Sequence, residues 1–132
     1  MIVDASVTLS WFFEDEQKPA AEELLDRLDQ HDIRTISLWR LELTNALLVA
    51  ERRNRITPAY TAQVWKRLRA LPIVLIDSGS PEDILKLARN HKLSAYDAAY
   101  LEAAWRLKTP IASLDAALSK AARKLRLLAP GF

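Results

Sequence analysis

The chain has 132 residues, half of them hydrophobic, which is enough to bury a core and predicts one compact domain over residues 1–132. It has no cysteine, which excludes disulfides, thiolate nucleophiles and cysteine-ligated zinc, and its only two histidines, His31 and His91, are too far apart in the sequence to suggest a histidine metal site. The net charge of +2 is uneven: residues 1–32 hold nine acidic residues against Lys18 and Arg27, a balance of −7, so the rest carries +9. This asymmetry indicates a polyanionic or charge-complementary partner, or simply solvated faces of opposite sign.

No apolar run approaches the ~18 residues of a membrane span. The amino terminus carries Asp4 where a signal peptide is apolar. We therefore expect a soluble, cytoplasmic protein that has no membrane partner.

Short apolar runs alternate with longer amphipathic stretches along the chain. In chain order, the predicted strands are Met1–Val3, about Arg34–Ile36, Ile73–Ile76, Pro110–Leu114 and a last edge strand at Arg126–Leu128. After a segment capped by Ser6, the predicted helices cover about 19–30, 38–53, 58–71, 81–91, 94–108 and 116–125. Candidate N-caps of four of them are Ser37, Thr57, Ser80 and Ser94.

Strands of this length joined by helices require crossover connections, so the sheet is expected to be mainly parallel, with four or five strands and helices on both faces. This is a doubly wound α/β domain, in which sites form outside the carboxyl ends of strands near a switch in strand order. Asp4, Asp77 and Asp115 each follow a predicted strand. Asp77 precedes S-G-S-P, which is typical of a turn and helix cap, so we interpret it as lying outside the site.

Two further acids fall on the inner faces of predicted helices. At 100° per residue, Asp97 shares its face with Tyr100 and Trp105, whereas Glu102 and Arg106 are expected to point away. Glu42 is predicted to lie within an apolar arc of its helix. A carboxylate buried there without a partner costs several kcal/mol, so Glu42 should take up a proton or meet positive charge.

Converging carboxylates repel one another and need a counter-charge. Oxygen ligands without histidine or cysteine suit a hard cation such as Mg²⁺ or Mn²⁺. Such an ion can activate a water and offset charge on a phosphoryl oxygen, which makes phosphodiester hydrolysis the expected reaction.

Four sequence blocks resemble the acidic blocks of PIN-domain nucleases in their order and spacing. They are MIVDAS at residues 1–6, L-E-x-x-N-A-L at 41–47, Y-D-A-A-Y-L at 96–101 and A-S-L-D-A-A-L at 112–118. The similarity covers nearly the whole chain, and the small size most resembles the toxin component of VapBC-type toxin–antitoxin pairs.

The resemblance implies a PIN-like α/β/α sandwich and Mg²⁺- or Mn²⁺-dependent endoribonuclease activity. It assigns catalysis and metal binding to Asp4, Glu42, Asp97 and Asp115, with Ser6 and Ser113 supporting them. Asp115 could instead only cap the next helix, or do both. The resemblance also implies an RNA substrate, a homodimer and a cognate VapB-type antitoxin that masks the acids, with Trp65 and Leu68 as candidate antitoxin contacts.

Basic residues that could hold an RNA backbone form two groups. One lies at the end of the Glu42 helix and the other near the carboxyl terminus; they are Arg52, Arg53 and Arg55, and Lys120, Arg123, Lys124 and Arg126.

Alternative functions are a receiver-type phosphoacceptor domain, a haloacid-dehalogenase-type phosphatase and a non-catalytic PIN-like binding module. A receiver would need an adjacent pair of acids after the first strand and a lysine after Leu128, and the chain has neither. The phosphatase would need a D-x-D-G-T motif, which the chain also lacks. With only Gly79 and Gly131, glycine-rich nucleotide-binding loops are excluded.

Overall fold

The strands form one four-stranded parallel sheet in a computed structural model that describes residues 1–132. They are β1 (Ile2–Val3), β2 (Ile33–Ile36), β3 (Ile73–Ile76) and β4 (Ile111–Ala112). The order across the sheet is β3-β2-β1-β4, and every pairing is parallel. The chain therefore builds outward from β1 on one side and then returns to place β4 on the other, which makes the boundary between β1 and β4 the switch in strand order.

Seven α-helices connect and cover these strands. They are α1 (Ala5–Ser10), α2 (Pro19–Asp26), α3 (Leu38–Arg52), α4 (Pro58–Ala70), α5 (Pro81–His91), α6 (Ala95–Arg106) and α7 (Ala116–Lys124). Two predictions of extent were wrong. The second helix ends at Asp26 and a separate 3₁₀ turn spans Leu28–Gln30, and the expected last strand is reduced to a single parallel bridge between Ile111 and Leu128.

Alternate side chains of each strand enter cores on opposite faces of the sheet, as the period of a strand requires. Ile2, Ile36 and Ile111 pack with residues of α3, α4, α6 and α7. Val3, Ile33 and Ala112 pack with residues of α1 and α2 on the other face. The predicted α/β sandwich with helices on both faces is confirmed.

Three of the predicted helix caps are present. The side chains of Thr57, Ser80 and Ser94 each accept a hydrogen bond from the backbone amide three residues later. The prediction for Ser37 was wrong, because its backbone already has helical angles and its side chain makes no capping bond.

The prediction for Ser6 was wrong too. Asp4 caps α1, accepting from the Val7 amide, and Ser6 lies inside the first turn.

Helix α6 is buried on nearly all sides, which reverses one expectation about its faces. It packs against α5 and α7 as well as β1, β2 and β4. Trp105 is 53% exposed, whereas Glu102 is 1% exposed and forms an ion pair with Arg106. The prediction for Glu102 was wrong, because the loop between β3 and α5 meets it at Gly79, whereas Arg106 is exposed as expected.

Measured against the thickness of a bilayer, every helix is too short or too polar to cross a membrane.

Candidate active site

Asp4 lies at the carboxyl end of β1, at the switch in strand order, and is 4% exposed. Its Oδ1 accepts hydrogen bonds from the Ser6 hydroxyl at 2.6 Å and from the Val7 amide at 3.1 Å. Its Oδ2 accepts from the Ser113 hydroxyl at 2.6 Å. Because a carboxylate offers about four lone pairs, these three bonds leave one acceptor position for a further partner.

The two serines join the Asp4 carboxylate to the loop that follows β4. The Ser6 oxygen accepts from the Leu114 amide at 2.8 Å, and the Ser113 oxygen accepts from the Asp115 amide at 3.1 Å. Each hydroxyl therefore donates to Asp4 and accepts from a backbone amide of the loop after β4, so its orientation is fixed at both ends. Ser6 and Ser113 therefore hold the Asp4 carboxylate in place.

Glu42 lies half-buried at the border of the apolar stripe of α3 rather than in its middle. The fully covered positions of that helix are Trp39, Leu43, Leu47 and Ala50. Its Oε2 accepts a hydrogen bond of 2.5 Å from the hydroxyl of Tyr100, a side chain that is 1% exposed. Of the two outcomes expected for Glu42, no cation of the chain meets it, because its partner is a neutral phenol; burial raises its pKa, which is the direction of proton uptake.

Asp97 and Asp115 stand at the amino ends of two further helices. Asp97 is half-buried in the first turn of α6, after the cap residue Ser94. Asp115 caps α7, with Oδ1 accepting from the Leu118 amide at 2.8 Å. Since Asp4 caps α1, three of the four acids lie where helix dipoles favour negative charge.

The four acids form one electrostatic group. Burial raises the pKa of Asp4, opposed by hydrogen bonds from Ser113, Ser6 and Val7, while Asp115 raises it further. Burial also raises the pKa of Glu42; the Tyr100 hydroxyl lowers it, and Asp4 and Asp97 raise it again.

For Asp97, burial and then Asp115 raise the pKa, and Ser94 lowers it. No cation contributes to any of these three shifts, and none of the four acids takes part in an ion pair. The group therefore has uncompensated negative charge.

This donor set fits a hard divalent cation in its chemistry, because all of its ligand atoms are carboxylate oxygens without a counter-charge. No three acidic or histidine side chains stand together as a ready-made ligand set. Mg²⁺ is usually held by one or two carboxylates and completes its shell with water and substrate phosphate, so two of the acids suffice. A site that grips one ion through three or more of these side chains at once is not assembled.

Several other candidates lie away from this group. Asp77 follows β3, which β2 separates from β1, and its exposed side chain points to no member of the group; its carbonyl accepts from Arg106. Arg55 is engaged by Asp15 and Glu16. Leu68 is buried and Trp65 packs edge-to-face on Trp39.

A cavity of about 610 Å³ between α3, α4 and β3 lies away from the acidic group. It is lined by Trp39, Trp65 and Leu68 and contains none of the four acids. Trp65 and Leu68 therefore belong to the core and to this separate cavity.

Tyr100 forms a hydrogen bond to the acidic group that the sequence analysis did not predict. Its position three residues after Asp97 on the same helical face was a usable signal, since the resemblance assigned Asp97 and Glu42 to one site. Its buried hydroxyl needed a partner, as buried tyrosines usually do.

The sheet and the acids near its switch in strand order define a parallel α/β domain with a group of electrostatically coupled carboxylates. Residues 1–124 match the model of the PIN domain, and the chain belongs to the PIN-domain family. Members of that family are typically nucleases and generally use divalent metals.

The fold is similar to the crystal structure of PAE2754 from Pyrobaculum aerophilum. The two chains have 19% identity and a TM-score of 0.74, and the match covers 91% of this chain and 77% of the other. At that identity the likeness concerns the fold alone. A search of curated proteins returns no match.

Proposed function

We propose that the chain is an endoribonuclease that uses Mg²⁺ or Mn²⁺ at the acidic group formed by Asp4, Glu42, Asp97 and Asp115. The observation that supports this most is the convergence of these acids at the switch in strand order without any cation among them. Buried, uncompensated carboxylates are costly, and such a cost is typical of sites that recruit charge for chemistry.

The four acids differ in which carboxylate oxygens remain free to bind a metal ion. Asp4 keeps one acceptor position and Asp115 keeps one carboxylate oxygen, while Glu42 keeps Oε1. Asp97, whose side chain is half-buried, is the fourth candidate ligand. A bound divalent ion would lower the pKa of a water and offset charge on the phosphoryl oxygen. Ser6, Ser113 and Tyr100 hold the carboxylates in place.

We also propose that the chain acts as the toxin of a VapBC-type pair, as a homodimer neutralised by a cognate antitoxin. The four-block sequence resemblance supports this role. Leu41 and Tyr96, the residues next to Glu42 and Asp97, are 69% and 63% exposed, so apolar surface is available beside the acids for a protein partner. A segment covering it would block access to the cleft.

The enzymatic proposal is tested with purified protein, RNA substrates and Mg²⁺ or Mn²⁺. We expect Asp97→Asn and Glu42→Gln each to lose at least about a hundredfold in cleavage rate, the order set by electrostatic stabilisation. Asp77→Asn is the matched control, because it also follows a strand but lies outside the acidic group. Cleavage that survives both site changes, or that survives EDTA, contradicts the mechanism; acid-labile phosphate on Asp77 would favour a phosphoacceptor instead.

The toxin role is tested by brief expression of the wild type beside Asp97→Asn, followed by sequencing of RNA ends. New ends that recur at defined positions only with the wild type would support it. Growth arrest with no change in RNA ends, or equal arrest by both chains, would contradict it. Co-expression of a small neighbouring open reading frame should restore growth if it encodes the antitoxin.

A further inference from the structure

We propose that an open cleft beside the acidic group binds the sugar–phosphate backbone of the RNA strand through Lys18 and Arg123. This inference rests on the proposed function and names the residues that hold its substrate. The cleft has a volume of about 580 Å³ and includes Ser113, whose hydroxyl holds Asp4. One end of the cleft therefore adjoins the acidic group through Ser113, although no acid of that group lines it.

The floor of this cleft follows one face of α7. Ala116, Ser119 and Arg123 line it at helical spacing, so Arg123 stands about 10 Å along the helix from its first turn. The Ser119 hydroxyl donates to the Ser113 carbonyl at 3.0 Å, which fixes the start of this floor. Lys18, directly before α2, forms the opposite side together with Leu114.

The charge of the lining selects a polyanion. Lys18 and Arg123 are its two cations, and no aspartate or glutamate lines it. Both side chains are exposed, and neither forms an ion pair with any carboxylate of the chain. Unpaired cations beside an acid-lined cleft suit a ligand whose phosphates must approach those acids.

A second, neighbouring cleft explains why the RNA backbone should run along α7. It shares Lys18 and Leu114 and has a volume of about 360 Å³, but Asp15 and Glu16 also line it. These acids repel phosphate, so the backbone is directed along α7 toward Arg123. Of the basic residues near the carboxyl terminus, Arg123 alone lines the cleft, and Lys18 is a cation that the sequence patterns did not mark.

The experiment compares Lys18→Gln, Arg123→Gln and the double variant with wild type, using a labelled single-stranded oligoribonucleotide of mixed sequence. Lys86→Gln is the matched control, because it removes an exposed, unpaired charge of α5 that lies outside the cleft. We expect each site change to weaken binding by about fivefold, near the upper end for an exposed ion pair. The slope of log affinity against log salt should fall by about 0.7 per removed contact.

The turnover number should change little while KM rises, because these residues hold the strand away from the reacting phosphate. Lys18→Arg and Arg123→Lys, which keep the charge, should bind as wild type does, and thermal unfolding of each variant monitors folding. Unchanged affinity and salt slope in the double variant, with wild type binding and cleaving RNA, would overturn this inference alone.

Failure of the wild type to bind or cleave RNA would overturn the proposed function as well. Unchanged RNA binding together with weaker binding of a polyglutamate peptide would assign the cleft to an acidic protein segment and overturn the RNA assignment.

Discussion

Asp4 combines a structural and a chemical task in one side chain. Its carboxylate caps α1, accepts from two serine hydroxyls and still keeps an acceptor position at the cleft. Burial destabilises the charged form of the Asp4 carboxylate, and those hydrogen bonds offset part of that destabilisation. An aspartate is the residue that suits both tasks, because an asparagine would cap the helix equally well but bring no charge.

Tyr100 has one role at the acidic group, and removal of its hydroxyl oxygen tests that role. Tyr100→Phe removes the hydroxyl that donates to Glu42 Oε2 and leaves the ring in the core. Supporting hydrogen bonds to metal-binding carboxylates commonly contribute roughly 10-fold or more in metal affinity or activity. We expect Mn²⁺ binding, followed by electron paramagnetic resonance, and RNA cleavage to weaken together by about that factor.

Tyr60→Phe is the control for this prediction. The Tyr60 hydroxyl donates to the Phe12 carbonyl, away from the acids, so its loss has a similar cost in stability of about 1 kcal/mol. If Tyr60→Phe weakens Mn²⁺ binding as much as Tyr100→Phe, the effect is structural and the positioning role is wrong.

The four acids were predicted as one site from their positions after strands or on inner helical faces, together with the four-block family resemblance. The sequence did not show which groups they meet. The Tyr100–Glu42 bond joins positions 58 residues apart, and Lys18 reaches its cleft only after β4 and α7 are in place. Such pairings depend on tertiary packing, whereas the capping bonds of Thr57, Ser80 and Ser94 depend on local spacing and were predicted.

At the scale of elements, α6 is the helix around which the others pack. Four alanines, Ala98, Ala99, Ala103 and Ala104, allow close approach on several sides, and Glu102 is buried among them. Periodicity could not reveal this, because a hydrophobic stripe predicts one covered face. Glu102 is tolerated because Arg106 bonds to it and also to the Asp77 carbonyl in the β3–α5 loop.

Gly79 completes this contact between α6 and the loop. A Cβ at Gly79 would overlap the carboxylate group of Glu102, which Arg106 holds in place. We expect Gly79→Ala to lower the free energy of unfolding by about 1–3 kcal/mol, the range for overpacking. Chemical denaturation measures this change, and Ser78→Ala, an exposed neighbour, is the control.

Glu102→Ala tests whether overlap with Glu102 causes the loss of stability in Gly79→Ala. If the overlap is responsible, the double variant should be more stable than the sum of the single changes indicates, because the second change removes the obstructing group. Strict additivity would mean that Gly79 is required for some other reason.

For the whole molecule, the order β3-β2-β1-β4 brings Asp4 and Asp115 together and leaves Asp77 at a distance. The parallel sheet and its two covered faces followed from strand length and alternation with helices. The position of β4 beside β1 did not, since strand order depends on packing across the sheet. Part of the charge asymmetry also has a structural explanation, because Arg55 pairs with Asp15 and Glu16 of the acidic segment.

The acidic group should make stability depend on pH in the metal-free protein. The pKa values of Asp4, Glu42 and Asp97 are raised by folding, so the folded state holds protons more tightly than the unfolded state. Their contribution to stability is complete below the ordinary values of 3.8 and 4.5 and is lost as pH rises through the folded values. We expect wild type to gain stability relative to Asp97→Asn as pH falls from neutral into the mildly acidic range.

Comparison with Asp97→Asn is needed because Asp32 and the amino terminus, whose pKa values are lowered, titrate in the opposite sense in both proteins. Thermal unfolding across pH gives the difference. At neutral pH, Mg²⁺ or Mn²⁺ should stabilise wild type more than Asp97→Asn, since an ion bound only by the folded state raises its stability. A difference that does not change with pH would contradict the electrostatic coupling.

The bond between Ser113 and Asp4 spans 109 positions and sets when the cleft can mature during synthesis. Asp4 leaves the ribosome early, and until Ser113 emerges its carboxylate lacks both that hydroxyl and the neighbouring strand β4. A nascent chain therefore carries three of the acids without a finished cleft. We expect a chain truncated before Ser113, which lacks β4's following loop, Asp115 and α7, to cleave no RNA in the assay proposed above.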